Sequence, residues 1–179
     1  DVHGGLQRRH EDLVMNGVYR DGALVRVRVV SYAINGRRAG ASDVAGVEQS
    51  WNHPKPSEVF AAPFDPRNFE AYQYRSVGDA AIAFSSGVRD AGHGSGSFTY
   101  DARGNVVSYT FVPNSLPPHA KSGTIADQRA EVLPGYWAST QETQQYKGSY
   151  GPFAASGAIE VTYSDFRRVS NLDSALTSL

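Results

Sequence analysis

The chain has 179 residues, a formal net charge of −1 and no cysteine. That length suits one domain able to bury its own core, and the balanced charge removes the counterion-release drive of general nucleic-acid binding. The absence of Cys excludes disulfides, thiolate catalysis and Cys-based metal sites, and no apolar run approaches the ~20 residues of a membrane-spanning helix.

One domain over 1–179 is expected, with the polar, Gly-containing stretch 1–12 (DVHGGLQRRHED) as a loose N-terminal extension. Arg8, Arg9 and His10 within it read as a solvated charge run. The start at Asp1, without Met, reads as a processed or truncated product. Residues 22–34 (GALVRVRVVSYAI) form the clearest strand, with Val25, Val27 and Val29 on one face and Arg26 and Arg28 on the other. After Val29 the apolar phase shifts to Val30, Tyr32 and Ile34, which predicts a bulge. Asn35-Gly36 then predicts a tight turn with positive φ. Residues 42–51 predict a short helix capped by Ser42, with Val44, Val47 and Trp51 on one stripe. The Pro-containing stretch 57–68 (SEVFAAPFDPRN) reads as an irregular surface loop.

From 69 to 168 the pattern is strand after strand. Strands are expected at 69–75 and 80–86 around Gly78-Asp79, then a Gly-rich loop at 89–96. Strands 97–101 and 106–112 flank a hairpin loop at 102–105 with Gly104 in a left-handed position. A stiff connection at 113–119 leads to long strands at 121–132 and 134–146, a turn at 147–153 and a last strand at 155–169. A C-terminal helix then carries Leu172, Ala175, Leu176 and Leu179 on a stripe, capped by Asn171. Short turns between alternating strands, with no long crossover helices, predict a mainly β fold. The expected architecture is a strongly curved antiparallel sheet or incomplete barrel of eight or nine strands, with one or two short helices covering it.

No motif specifies a reaction. Gly92-His93-Gly94-Ser95-Gly96 leads into strand formers and not into a helix, so it makes no phosphate cradle or nucleophile elbow. His3, His10, His53, His93 and His119 lack metal-ligand spacing, and each falls in a predicted loop. A hydrolase-like enzyme would need His93 or His119 beside a carboxylate in a cleft. Glu131, Glu142 and Glu160 offer carboxylates on neighbouring strands for acid–base work, or simply for solvation and cross-strand pairing. No catalytic residue, metal or cofactor is expected. The aromatic stripes Phe98, Tyr100, Tyr109, Phe111 and Tyr163 read as either a packed core or the lining of a cavity.

Two segments carry a family resemblance. One is GSFTYDARGNVVSYTFVPN (96–114), a strand–turn–strand with Asp before the turn; the other is residues 131–169, which close on Tyr163-Ser164-Asp165-Phe166-Arg167. Together they resemble the LolA/LolB-like outer-membrane lipoprotein-sorting superfamily and related bacterial secreted domains. The resemblance covers about half the chain. It implies an incomplete antiparallel barrel with helices over its mouth, an apolar cavity for acyl chains, a periplasmic or secreted location and no catalysis. Two departures stand out: the long N-terminal helix that precedes the family's first strand is missing or removed with the truncated N-terminus, and the Pro-rich segments 52–66 and 113–119 are unusual.

The function expected first is non-catalytic binding of a lipid, acyl chain or other apolar ligand in the concave face of the sheet. Its lining would be Val44, Val47, Trp51, Phe98, Tyr100, Tyr109, Phe111, Trp137, Val161 and Tyr163. The alternatives are a protein-interaction domain using loops 52–66 and 113–119, and the hydrolase-like enzyme.

Overall fold

The structure is a computed structural model describing residues 9–20, 23–55, 59–150 and 153–178. Residues 1–8 with His3 and Arg8, residues 21–22, 56–58 and 151–152, and Leu179 lie outside the described residues. The fold is mainly β, as expected, and among the described residues the strands form two antiparallel sheets of three and seven with no closed barrel. The strands are β1 (Glu11–Arg20), β2 (Ala23–Ile34), β3 (Arg37–Arg38), β4 (Gln73–Gly78), β5 (Ala81–Ser85), β6 (Gly94–Tyr100), β7 (Val106–Pro113), β8 (Ala120–Leu133), β9 (Tyr136–Tyr150) and β10 (Phe153–Thr162). The helices are α1 (Ala41–Asn52) and α2 (Leu172–Ser178). The chain divides into two compact units, one holding Asp1–Pro54 with Arg168–Leu179 and the other Lys55–Arg167.

In the first unit β1 pairs antiparallel with β2, and β3 adds two residues beyond Asn35-Gly36. Both turn residues adopt positive φ, 52° and 74°, as the sequence predicts. The expected phase shift is also present: Val14 faces Ser31 and Met15 faces Val29, so Val30 is the extra residue of a bulge. β1 itself opens at Glu11, inside the stretch read as a loose extension. Its alternation is weak, and Tyr32 fixes it by donating its hydroxyl to Glu11 at 2.5 Å.

Helix α1 begins one residue earlier than expected and is capped at Gly40, not at Ser42. Asp43 reaches back to accept the Gly40 N–H at 3.1 Å. Its most consequential side chain is Asn52. The Asn52 amide accepts the Val27 N–H at 2.7 Å and donates to the Val27 carbonyl at 3.0 Å. Glu48, one turn earlier, accepts the Val29 N–H at 2.8 Å. The helix thereby supplies the partners that a further strand would give the free edge of β2. Asn52→Ala is expected to cost this unit about 1–3 kcal/mol, since both Val27 groups lose their partner. Urea unfolding followed by Trp51 fluorescence in a Trp137→Phe background reads this loss.

The second unit is an uninterrupted meander, β10-β9-β8-β7-β6-β5-β4, in which every strand pairs with its neighbours in sequence. Its core is Tyr72, Phe84, Phe98, Tyr109 and Phe111. The segment around 60–71 differs most from its sequence reading. Phe60 stacks on Tyr109 at 5.3 Å and meets Phe111 edge-on at 4.9 Å, and Phe64 lies 5.4 Å from the Tyr109 ring. Pro63 is fully buried. The expected surface loop is a cover on the sheet, because its apolar side chains have an aromatic face within reach. The strand expected from 69 is a 3-10 helix over Pro66–Ala71, started by Asp65, whose side chain accepts the Arg67 N–H. Pro66 at its first position has no N–H to leave unpaired.

The Gly-rich segment is only half a loop, since β6 starts at Gly94. A Cβ at Gly96 would lie 1.9 Å from the Thr110 carbonyl oxygen, and one at Gly94 would lie 2.7 Å from the Phe111 ring. Glycine stands there because backbone and rings approach too closely for any side chain. Of the turn expected at 147–153, residues 147–150 belong to β9 and Phe153 opens β10, while 151–152 lie outside the described residues; at Gly148 the His119 carbonyl approaches too closely for a side chain. The last strand ends at Thr162, short of 169, and Asp165 turns the chain with φ of 58°. Asn171 caps α2 as expected, accepting the Asp173 and Ser174 N–H groups.

Candidate functional site

The most unusual group in the second unit is Asp127. It is 0% exposed, and neither carboxylate oxygen has a hydrogen-bond partner among the described residues. Buried polar atoms are nearly always paired, so this exception marks a site worth explaining. Register defines its surroundings: Tyr109 on β7 lies opposite Asp127 on β8, Asp127 lies opposite Glu142 on β9, and Glu142 lies opposite Val161 on β10. Directly opposed residues share a face, so the aromatic side of the sheet passes into a carboxyl pair and then into an aliphatic position.

From Glu142 a polar lane runs along β9. Gln144 Nε2 donates to Glu142 Oε1 at 2.6 Å, and the Tyr146 hydroxyl donates to Gln144 Oε1 at 2.6 Å. All three side chains are half-buried. Gln144 is opposed by Ile125 on β8 and Ile159 on β10, so aliphatic positions border the lane on both sides. Ile159 is 49% exposed. Arg129, two residues along β8 from Asp127, sits 5.1 Å over the Phe64 ring and donates to the Trp137 carbonyl at 3.1 Å.

Burial pushes the Asp127 carboxyl up to about pH 6, with Glu142 adding to the rise. Ser139 and Arg129 pull the other way and do not prevail. Tyr109 is raised further above its ordinary value, by burial first and then by the Asp127 charge. Tyr146 is raised by burial and by Glu142. The Asp127 and Glu142 carboxyl groups, beside the side chains of Tyr109, Gln144 and Tyr146, make a hydrogen-bonding surface on this face.

Other sequence-level candidates fall elsewhere. Val44, Val47 and Trp51 lie in the first unit, where Val44 and Val47 are half-buried and Trp51 is 42% exposed. Phe98, Tyr109 and Phe111 come together in the core of the second unit, and Tyr100 packs at its margin. Trp137 lies on β9 opposite Glu131. Val161 faces Glu142, while Tyr163 stands just past the end of β10, its N–H donated to the Thr140 carbonyl at 3.0 Å. Glu131 is not Glu142's partner. It accepts the Gly135 N–H at 2.6 Å, and Glu160 is exposed opposite Thr143. Asp127, absent from the sequence candidates, is the acid that Glu142 meets; its only signal was the shared parity of Ile125, Asp127 and Arg129 along one strand.

His93 sits in a half-buried ion pair with Asp90. Its Nδ1 and its backbone N–H both lie 2.8 Å from Asp90 Oδ1, and its ring lies 5.8 Å from Tyr72. One carboxylate oxygen holding both the ring and the main chain is the geometry of a loop clasp. It lowers the Asp90 pKa chiefly through the His93 hydrogen bond. Among the described residues no group of three or more His, Asp or Glu side chains is placed to hold a metal ion.

Fold and site together define a mainly β protein whose seven-stranded meander carries a buried aspartate opposite a half-buried glutamate on its aromatic face. Comparison with family models, curated proteins and solved structures finds no match to this chain.

Proposed function

We propose that this chain is an exported, non-catalytic binding protein for an amphipathic ligand carried on the β8–β10 face of the meander. The observation that supports this is the lane Glu142–Gln144–Tyr146, hydrogen-bonded within itself and flanked by Ile125, Ile159 and Val161. An apolar body laid on those aliphatic positions gains about 0.8 kcal/mol for each methylene removed from water. A polar head that donates hydrogen bonds finds acceptors at Glu142 and Gln144. The aromatic half of the same face is an unsuitable seat, because Phe60 and Phe64 already pack there. The ligand class is therefore a single acyl or alkyl chain with a donor head. A periplasmic or secreted location and kinship with lipoprotein-sorting proteins belong to the same reading.

The test is direct titration of the full chain, in a Trp51→Phe background, with dodecylamine, dodecanol and dodecanoate below their micellar concentrations. Trp137 on β9 is then the reporter. A saturable fluorescence change with the amine or the alcohol, weakened about tenfold in Glu142→Gln, is the expected result; a tenfold loss corresponds to ~1.4 kcal/mol. Absence of saturation with all three ligands refutes the proposal.

A further inference from the structure

The first unit contains a cleft of about 570 Å³ lined by Arg26, Val27 and Arg28 of β2, Glu48 and Asn52 of α1, and Leu176 and Thr177 of α2. This volume is within the range of small-molecule sites. Its charges are unusual. Arg26 and Arg28 are both exposed, and neither has an ion-pair or hydrogen-bond partner among the described residues. They occupy alternate positions of one strand, so both leave the sheet on the same face with Cα atoms about 7 Å apart.

The other polar groups of the cleft are already engaged. Glu48 Oε1 accepts the Val29 N–H, and both ends of the Asn52 amide are held by Val27. The acid that might have neutralised one arginine is thus tied to the sheet edge. The Thr177 hydroxyl donates to the Asp173 carbonyl at 2.8 Å, so what the cleft still offers is two guanidinium forks and the apolar surface of Leu176. Guanidinium forks match the paired oxygens of carboxylate and phosphate groups better than they match any neutral ligand.

We propose that this cleft binds a small organic dianion, a dicarboxylate or a phosphate monoester, bridged between Arg26 and Arg28 with its carbon skeleton toward Leu176. This site is separate from the β8–β10 face, and its ligand has the opposite charge preference from a donor head.

The experiment is an amide NMR titration of the full chain with succinate, with glycerol 3-phosphate and with neutral glycerol. The expected result is saturable shifts at residues 26–29, 48, 52 and 176–177 with at least one dianion and none with glycerol. Which dianion binds more tightly identifies the source of the oxyanion. Arg26→Gln combined with Arg28→Gln is expected to abolish those shifts. The Arg26→Lys, Arg28→Lys pair keeps the charge and retains binding, weakened about tenfold. Unchanged β-sheet circular dichroism confirms that the exposed substitutions leave the fold in place. No saturable shift with either dianion, or equal shifts in the double glutamine variant, overturns the proposal.

Discussion

Phe111→Ala is expected to destabilise the seven-stranded unit by about 3–5 kcal/mol, the range for emptying a well-packed aromatic site. Phe111 is 1% exposed and faces rings from two directions: Phe60 edge-on at 4.9 Å and Phe84 stacked at 6.4 Å. Relaxation cannot refill the space from strand β6. The residue opposite Phe111 there is Gly96, which has no side chain to move inward. Domain stabilities are about 5–15 kcal/mol, so this loss is a large share of the whole. Each unit holds one tryptophan, Trp51 in the first and Trp137 in the second. Urea unfolding of Phe111→Ala in a Trp51→Phe background therefore reports the second unit alone. Ile159→Ala, at a position 49% exposed, is the comparison, and its cost is expected to stay below about 1 kcal/mol. Equal losses at both positions would mean that the Phe60–Phe111 packing does not hold this unit together.

The second large effect comes from Asp127, and its sign is opposite to that of most carboxylates. Burial raises its folded-state pKa to about 6 from an ordinary value of 3.8. The folded form holds the proton more tightly, so the contribution to stability is fully present below the unfolded pKa and is lost as pH rises through about 6. The whole span is worth about 3 kcal/mol. Asp65, Asp90 and Asp101 have lowered pKa values, from hydrogen bonds with Arg67, His93 and Asn105 respectively, and act only at lower pH. From pH 7.5 to 5 Asp127 is expected to add about 1 kcal/mol to the stability of the second unit. Asp127→Asn is expected to remove that slope and to stabilise the unit at pH 7.5 by about 1–3 kcal/mol, since it replaces an unpaired buried charge. A destabilised Asn variant at pH 7.5 would show that the ionised carboxylate has a favourable partner.

Sequence pattern carried the strands well where one face is apolar and the other polar. Val107, Tyr109 and Phe111 alternate with Ser108 and Thr110, and β7 follows them almost to the residue. Turns with a steric requirement were equally legible: Asn35-Gly36 and Gly104 adopt the expected positive φ. In the hairpin at 102–105 the Asp101 side chain accepts the Arg103 and Asn105 N–H groups, each at 2.9 Å. Features that depend on long-range partners were not legible. The cover formed by Phe60 and Phe64 reads as an irregular loop, because nothing local in a Pro-interrupted stretch announces the sheet it meets. Register hides the Asp127–Glu142 pair in the same way. Glu131 and Glu142 were visible as acids on adjacent strands, but β8 carries shifts between Gln128 and Arg129 and between Glu131 and Leu133. The two shifts cancel, so the register set at Leu133 and Tyr136 still places Asp127 opposite Glu142, while Glu131 lies opposite Trp137 near the turn. The Asn52 clasp on β2 is hidden for a related reason, since an amide at the end of a helix looks like any C-terminal polar residue.

The strict sequential order of the meander also has a kinetic meaning. Each of its strands pairs with the one made just before it, so the unit has low contact order and its hairpins can form one upon another without closing long loops. The three-stranded unit is in the opposite situation. Its strands and α1 are synthesised first, yet α2, which completes the wall of the arginine cleft, follows only after all seven strands of the meander. During synthesis the sheet can pair and be clasped by Asn52 while the cleft remains open on one side. The arginine cleft is therefore complete only after the meander has been made, and a nascent chain halted before Leu172 has the guanidinium pair without the apolar wall opposite.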